Sequence, residues 1–174
     1  MRQFLRYCRW FILFCVLQTF IFERIHLGPF LYPCVYVLFI LLFPFGYNTL
    51  YLLLWSFVMG LSIDLFSAGA LGFHTSAATC LAFLRSNVFK MVATKGDVGQ
   101  LAIPGPNTLG LPWYTTYVIF SLLIHHTVLF LWENFHFTYL FFTILRILCT
   151  TFLNTILIVL IHTTFFNKRH EYEI

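Results

Sequence analysis

The sequence predicts an all-α protein that crosses a membrane several times. Of its 174 residues, 60% are hydrophobic and only 9% carry a charged side chain, whereas soluble domains carry about 25% charged residues. The apolar residues are grouped in long runs separated by short polar stretches, as expected for bilayer-crossing helices. Long runs that alternate polar and apolar residues are missing, which argues against an outer-membrane barrel.

Six transmembrane helices follow from these runs, because most of them approach the ~20 residues that cross a bilayer. The predicted spans are residues 7–22, 31–45, 49–66, 71–84, 113–132 and 139–166. The fourth span is the shortest and is rich in small and hydroxylated residues. A re-entrant or broken segment that is covered by protein is therefore the alternative for it. The whole chain, residues 1–174, is predicted to form a single transmembrane domain.

The basic residues predict how the spans are oriented. Eight of the ten Lys and Arg residues lie before span one, after span four or after span six. With six spans these three regions share one side, which the positive-inside rule makes cytoplasmic. The eight residues are Arg2, Arg6, Arg9, Arg85, Lys90, Lys95, Lys168 and Arg169. We therefore expect a membrane protein with both termini in the cytoplasm, and no nucleic-acid partner is inferred from the net charge of +4.

The longest connection is predicted to be a cytoplasmic loop at residues 86–112. Its first part, "SNVFKMVATKGD", mixes apolar and basic residues and is expected to lie along the membrane surface as a short helix. Its second part, "GQLAIPGPNTLGLPW", is too rich in Pro and Gly for a regular helix. The loop is either a simple connector or a docking site for a cytoplasmic partner.

The cysteines and histidines form no recognisable catalytic or metal-binding motif. Five cysteines lie in or beside the spans without C-x-x-C spacing, which is typical of small buried hydrophobic residues. A metal site that combines Asp64 and His74 with His125 and His126 is disfavoured, because adjacent residues point to different helix faces. Ser76 near His74 is the one hint of a nucleophile beside its base. The sequence therefore predicts no enzyme, no cofactor and no metal.

Ionisable residues instead gather near the predicted outer ends of the spans. Asp64 ends span three, His74 begins span four, and Glu133 ends span five with His126 deeper on the same face. Arg146 lies roughly 10 Å inside the outer boundary, where an unpaired arginine costs at least ~2.5–3.5 kcal/mol. We therefore expect an Asp64–Arg146 ion pair, with Glu133 as the competing partner. These residues form a predicted polar network or partner-binding face.

Small residues predict where spans three and four touch. Gly60 shares a helix face with Asp64, and Gly72 and Ser76 are spaced four residues apart at the start of span four. Small residues at this spacing let two helices approach closely. Gly60, Gly72 and Ser76 are therefore the predicted helix-packing positions.

The order of these features resembles the rod shape-determining protein MreD family. The stretch "FVMGLSIDLFSAGALGFHTSAATCLAFLR" carries the glycine–leucine–x–x–aspartate, the glycine–x–histidine and the closing arginine of this resemblance. "FILFCVLQTFIFERIHLGPFLYPCVYVLFILLFPF" is similar to the first two spans of the family. "YVIFSLLIHHTVLFLWENFHF" and "TILRILCTTFLNTILIVLI" are similar to its last two.

The resemblance implies a non-enzymatic scaffold in the bacterial inner membrane. Such proteins pair with MreC and, through it, connect MreB filaments to the glycosyltransferase RodA and its transpeptidase, which build lateral peptidoglycan and control cell shape. The resemblance also implies the six-helix fold of substrate-binding components of energy-coupling-factor transporters. A transporter subunit of that kind is the alternative function, and it would need an outer pocket lined by polar and aromatic groups. A membrane-embedded hydrolase or acyltransferase would need a motif that the sequence lacks.

Overall fold

The structure is a computed structural model that describes residues 2–25, 27–45, 48–67, 70–93, 104–133 and 139–166. These residues are helical or irregular and include no β-strand, which confirms the all-α prediction. The helices are α1 Arg2–Val16, α2 Val37–Leu41, α3 Thr49–Phe66, α4 Phe73–Val92, α5 Pro106–Leu109, α6 Leu111–Glu133 and α7 Leu140–Ile161. Two of them are extended by further turns, Leu17–Ile21 and Phe22–Arg24 after α1 and His162–Phe166 after α7.

Four described helices are long and apolar enough to cross a membrane: Phe4–Arg24, Thr49–Phe66, Leu111–Glu133 and Leu140–Phe166. Their outer surface carries large apolar side chains, and Phe141 and Phe152 are 73% and 71% exposed. The interior holds polar side chains instead, with Gln18 and Asn154 fully buried. Soluble proteins show the opposite preference, because water favours polar groups on the surface. This distribution supports a protein embedded in a membrane.

The long helices form a closed ring. α3 packs against α4, α4 against α6, and α6 against α7, while α1 contacts α3. The ring of helices closes at Phe166, in the turn that extends α7. The centroid of the Phe166 phenyl group lies 4.5 Å from that of the Trp10 side chain and 6.4 Å from that of the Phe14 side chain, both in α1. Aromatic packing therefore joins the last helix to the first.

The predicted second span, residues 31–45, is not a continuous helix. Only Val37–Leu41 is α-helical, yet residues 34–41 are at most 1% exposed and fill the centre of the ring. Hydropathy cannot distinguish such a buried irregular segment from a buried helix. We call residues 30–45 the central segment.

The central segment runs antiparallel to α1. Near its start, the Tyr32 hydroxyl lies 3.4 Å from a carboxylate oxygen of Glu23, in the turn that follows α1. Near its end, the ring of Phe43 stacks on Tyr7 with centroids 4.4 Å apart. The segment therefore returns from one end of α1 to the other with only a short helix along the way.

Side chains from the surrounding helices satisfy the irregular backbone of the central segment. Backbone polar groups at membrane depth need partners, because lipid offers none. Gln18 and Asn154 each accept a hydrogen bond from this backbone and donate one to it, and Thr150 donates another. The bonds are Gln18 Nε2 to Pro33 O at 2.9 Å, Val35 N to Gln18 Oε1 at 2.9 Å, Cys34 N to Asn154 Oδ1 at 2.7 Å, Asn154 Nδ2 to Tyr32 O at 2.8 Å, and Thr150 Oγ1 to Phe30 O at 2.8 Å.

The fourth predicted span is an unbroken helix that is longer than expected. α4 covers Phe73–Val92, so the helix continues past the predicted end at residue 84 and is not broken. The first part of the predicted loop 86–112 belongs to this helix, and its residues Val88 and Phe89 are buried. At the other end of that loop, Pro106–Leu109 forms α5, where proline occupies the first helical position that tolerates it.

Arg85 explains why α4 continues past its predicted end. Its guanidinium group is almost fully buried and donates hydrogen bonds to the Tyr117 hydroxyl at 2.8 Å, to the Leu41 carbonyl at 3.2 Å and to the Phe43 carbonyl. These neutral acceptors stabilise the buried charge inside the protein, so Arg85 is not a solvated cation that marks a loop. Three other residues of the topology prediction, Lys95, Lys168 and Arg169, lie outside the described residues, as do loop residues 94–103.

Candidate functional site

Asp64, at the end of α3, binds the first turn of α4. Its Oδ2 accepts hydrogen bonds from the backbone N–H groups of Gly72 at 2.9 Å and Thr75 at 3.0 Å, and from the Thr75 hydroxyl at 2.5 Å. Its Oδ1 accepts one from the His74 N–H at 2.9 Å. The first N–H groups of a helix have no partner within the helix, and a negative charge is favoured there. Asp64 therefore caps α4 from a neighbouring helix.

Gly60 lies where α3 and α4 are closest, as predicted. A Cβ atom at this position would lie 2.5 Å from the Thr75 Cα and 2.6 Å from the His74 carbonyl oxygen. Both are backbone atoms, so no side-chain movement would relieve the collision. Glycine is required here because the two backbones touch.

Gly72 and Ser76 do not pack against α3 as predicted. A Cβ at Gly72 would meet no atom of the described residues within 4 Å, and its φ of +101° is a left-handed conformation that suits glycine at the start of α4. The Ser76 hydroxyl is only partly buried and donates to the Phe73 carbonyl at 2.9 Å. The buried face of α4 instead contains His74, Thr75 and Ala78. Gly72 and Ser76 have the spacing of residues on one helix face, but a different face of α4 meets α3.

A hydrogen-bonded chain connects His74 to the centre of the ring. Tyr36 places its hydroxyl between two histidines, 3.1 Å from His74 Nδ1 and 2.5 Å from His125 Nε2. On the other side, His74 Nε2 lies 3.5 Å from the Tyr32 hydroxyl, which is 3.4 Å from Glu23. The last two contacts are long for hydrogen bonds. These side-chain contacts link the turn after α1, the central segment, α4 and α6.

His125 and His126 are both fully buried although they are adjacent in α6. α6 packs between α4 and α7, so two faces of this helix are covered by protein. His126 Nδ1 lies 3.0 Å from the Thr151 hydroxyl and His126 Nε2 lies 3.4 Å from Asn154 Nδ2. Ligand atoms of His125, His126 and Cys34 all lie within 4.8 Å of one another. Adjacent positions on a helix thus do not separate these histidines, contrary to the sequence argument.

The expected Asp64–Arg146 ion pair is wrong. Arg146 Nη1 lies 3.0 Å from Glu133 Oε1, and its guanidinium carbon lies 4.3 Å from the centre of the Phe130 ring. Asp64 is occupied by the four donors from the start of α4. Backbone N–H groups that must be satisfied in lipid are nearer to Asp64 than any cation, so the carboxylate serves them. Glu133, the competing partner, holds Arg146.

The Glu133–Arg146 pair is expected to contribute little stability. Its side chains are 41% and 22% exposed, and exposed ion pairs contribute about 0.2–1 kcal/mol. Glu133→Gln should therefore lower the free energy of unfolding, measured by titration with sodium dodecyl sulfate in mixed micelles, by less than about 1 kcal/mol. A double-mutant cycle should detect coupling between Glu133 and Arg146 and additivity between Asp64 and Arg146. Coupling of Asp64 to Arg146 would contradict the observed partners.

The structure divides the predicted polar network into three places. Asp64 and His74 lie together at the start of α4, His126 lies inside the ring, and Glu133 with Arg146 forms a separate pair near the surface. Sequence reasoning did not assign to this site Cys34 and Tyr36, which lie in the central segment, or the residues that bind its backbone: Gln18, Arg85 and Asn154. The stripe of polar residues in α7 that includes Thr150 and Asn154 was a usable signal, because both are buried and bind that segment.

The described polar side chains are mostly engaged with one another or with backbone. The Ser76 hydroxyl binds its own helix, so it is not held by His74 as a nucleophile would be. No family model, curated protein or solved structure matches the chain.

Proposed function

We propose that the chain is a non-enzymatic scaffold of the bacterial cell-elongation complex that binds MreC in the inner membrane. Through MreC it acts on MreB filaments, RodA and the partner transpeptidase, and so helps to control cell shape and lateral peptidoglycan synthesis. The proposal starts from the resemblance to the MreD family in the stretch from Phe57 to Arg85. It depends on what the distinctive residues of that stretch do.

The supporting observation is that those residues hold α3, α4 and the central segment in place. Asp64 caps α4 with four hydrogen bonds, Gly60 allows α3 and α4 to touch, and Arg85 binds the end of the central segment. Residues that fix the relative position of helices define a rigid surface. A scaffold needs such a surface, whereas an enzyme needs reactive groups that face a substrate.

The path of the chain supports the predicted membrane topology. The central segment runs antiparallel to α1, so it provides a return crossing between α1 and α3. With α4 as a further crossing, the chain crosses six times, and both termini lie in the cytoplasm. Non-helical backbone is compatible with such a crossing when protein buries it, as the ring of helices does here.

The filled centre of the ring favours the scaffold over a transporter substrate-binding subunit. Such a subunit needs a pocket for a small molecule among its helices. Here the side chains of Val35, Tyr36 and Phe39 occupy that position and are at most 1% exposed. Among the described residues, a ligand at the centre of the ring would have to displace part of the central segment.

Co-purification with MreC tests the proposal. The tagged chain, co-expressed with the MreC of its own bacterium and extracted in mild detergent, should recover MreC well above the level obtained with an unrelated tagged multi-span membrane protein. Cells depleted of the chain should become round, and the wild-type gene should restore rods. A folded, monodisperse chain that recovers no MreC would overturn the proposal.

A further inference from the structure

A cysteine and two histidines meet in the interior where the scaffold function has no use for them. Cys34 lies in the central segment and His125 and His126 lie in α6, and all three are fully buried. Their ligand atoms lie within 4.8 Å of one another. In a trigonal site, atoms bound to one ion at about 2.0–2.3 Å are about 3.5–4.0 Å apart. Side-chain rotations that shorten the separations by up to about 1 Å would therefore bring the three atoms to a common ion.

His125 has an unused nitrogen at this position. Its Nε2 is engaged by the Tyr36 hydroxyl at 2.5 Å, while its Nδ1 is buried without a hydrogen-bond partner among the described residues. Burying a polar atom without a hydrogen-bond partner is costly, so this nitrogen needs another partner. A metal ion bound to Nδ1 would be that partner, and the Nε2–H group would then donate a hydrogen bond to the Tyr36 hydroxyl.

His126 is held in the same manner by its other nitrogen. Its Nδ1 lies 3.0 Å from the Thr151 hydroxyl. Its Nε2 faces Asn154 Nδ2 at 3.4 Å, but the two protons of that amide have shorter bonds to the carbonyls of Tyr32 and Thr150, at 2.8 and 3.0 Å. The Nε2 lone pair is therefore available. Histidines that bind metals typically donate from the second nitrogen to an oxygen in this way.

Asn154 also fixes the cysteine. Its Oδ1 accepts a hydrogen bond from the Cys34 N–H at 2.7 Å, so one amide positions Cys34 and contacts His126. The thiol is not part of a disulfide. The two histidine rings are thus held by neighbouring hydroxyl groups and the Cys34 backbone is held by an amide, and such neighbouring polar groups orient the ligands of a metal site.

From this geometry we propose that Cys34, His125 and His126 bind one copper(I) ion. Thiolate selects soft ions such as copper(I), and a trigonal set of one cysteine and two histidines is characteristic of copper. One thiolate, two neutral imidazoles and one monovalent cation sum to zero charge. A zinc ion would leave a positive charge in a fully buried site, which is costly, and structural zinc sites use four ligands. Binding transfers the thiol proton to solvent as the sulfur–copper bond forms.

The experiment uses the purified full-length chain in detergent, kept anaerobic with a reductant. Copper(I) is supplied from a chromophoric copper(I) chelator, and transfer to the protein is followed by loss of the chelator colour. We expect one copper per chain, and X-ray absorption of the product should show one sulfur and two nitrogen neighbours. Cys34→Ser should lose this binding, whereas Cys15→Ser should keep it, because Cys15 is a buried free cysteine outside the cluster.

A milder pair of variants separates binding from folding. Thr151→Val removes the oxygen that supports His126 and should weaken copper binding about 10–100-fold. Thr155→Val is the control on the same helix, because the Thr155 hydroxyl binds the Thr151 carbonyl and no histidine, and it should bind as wild type does. Equal affinity of the Thr151 and Thr155 variants would overturn the proposal.

Three other results would also overturn it. They are no copper taken from the chelator by the wild-type chain, wild-type affinity in Cys34→Ser, and displacement of copper(I) by equimolar zinc. The measurement is made on the chain alone, so its outcome does not depend on whether MreC binds.

Discussion

Replacing Asp64 by alanine is expected to lower the free energy of unfolding by at least about 3 kcal/mol, because buried donors that lose their acceptor cost about 1–3 kcal/mol each. The Asp64 carboxylate accepts from three backbone N–H groups and one hydroxyl at the start of α4. In alanine nothing replaces these oxygens, and the membrane offers no water to do so. Titration with sodium dodecyl sulfate in mixed micelles measures the loss.

Asp64→Asn refines this prediction. Asparagine keeps one acceptor oxygen but turns an NH₂ group toward the N–H donors of α4, so most of the loss should remain. Arg146→Gln is the control, because Arg146 is the partner of Glu133 and not of Asp64, and it should cost less than about 1 kcal/mol. If both Asp64 variants unfold at the wild-type detergent concentration, the carboxylate does not hold α4 and the cap described here is wrong.

Gly60→Ala is expected to destabilise the protein by about 3 kcal/mol or more, at or above the upper end of ordinary overpacking. A single added methyl group would lie 2.5 Å from the Thr75 Cα. Because the obstacle is backbone, α3 and α4 must separate, and the four hydrogen bonds to Asp64 must lengthen with them. We expect a lower yield of monodisperse protein and a lower free energy of unfolding, measured in the same titration.

Gly72→Ala tests whether the loss of stability expected in Gly60→Ala comes from the collision with α4 or from the loss of a glycine. No atom of the described residues lies within 4 Å of a Cβ at Gly72, so the cost expected there is that of a left-handed residue, about 1–2 kcal/mol. The Gly60 variant should therefore be clearly the less stable of the two. The reverse order would mean that α3 and α4 are not in backbone contact at Gly60.

Sequence reasoning located the long regular helices well because their signal is local. α3 has the predicted bounds, Thr49–Phe66, and α6 extends the predicted range 113–132 by only a few residues at its ends. Long apolar runs must form helices in lipid to satisfy their own backbone. The same reasoning found the contact at Gly60 and the importance of Asp64, because small and charged residues are conspicuous in an apolar background.

Sequence reasoning failed where a partner distant in the chain decides the outcome. Residues 31–45 are as apolar as a helix, but Gln18 and Asn154 offer hydrogen bonds that replace the helical ones. The burial of Arg85 was not predicted because its acceptors, the Leu41 and Phe43 carbonyls, come from that irregular segment. Asp64 was given the wrong partner because the donors at the start of a helix are backbone groups, which a comparison of charges overlooks.

The sequence by itself determined that this protein is helical, that its surface suits a membrane, and that α3 and α4 approach through a glycine. These properties depend on composition and on spacing within one helix. Only the tertiary structure decided that the centre of the ring is an irregular segment and that Arg146 pairs with Glu133. It also decided that Cys34, in that segment, lies beside two adjacent histidines of α6. Contacts between residues that are distant in the chain depend on which helix faces are covered when α6 packs between α4 and α7. The periodicity within one helix does not contain that information.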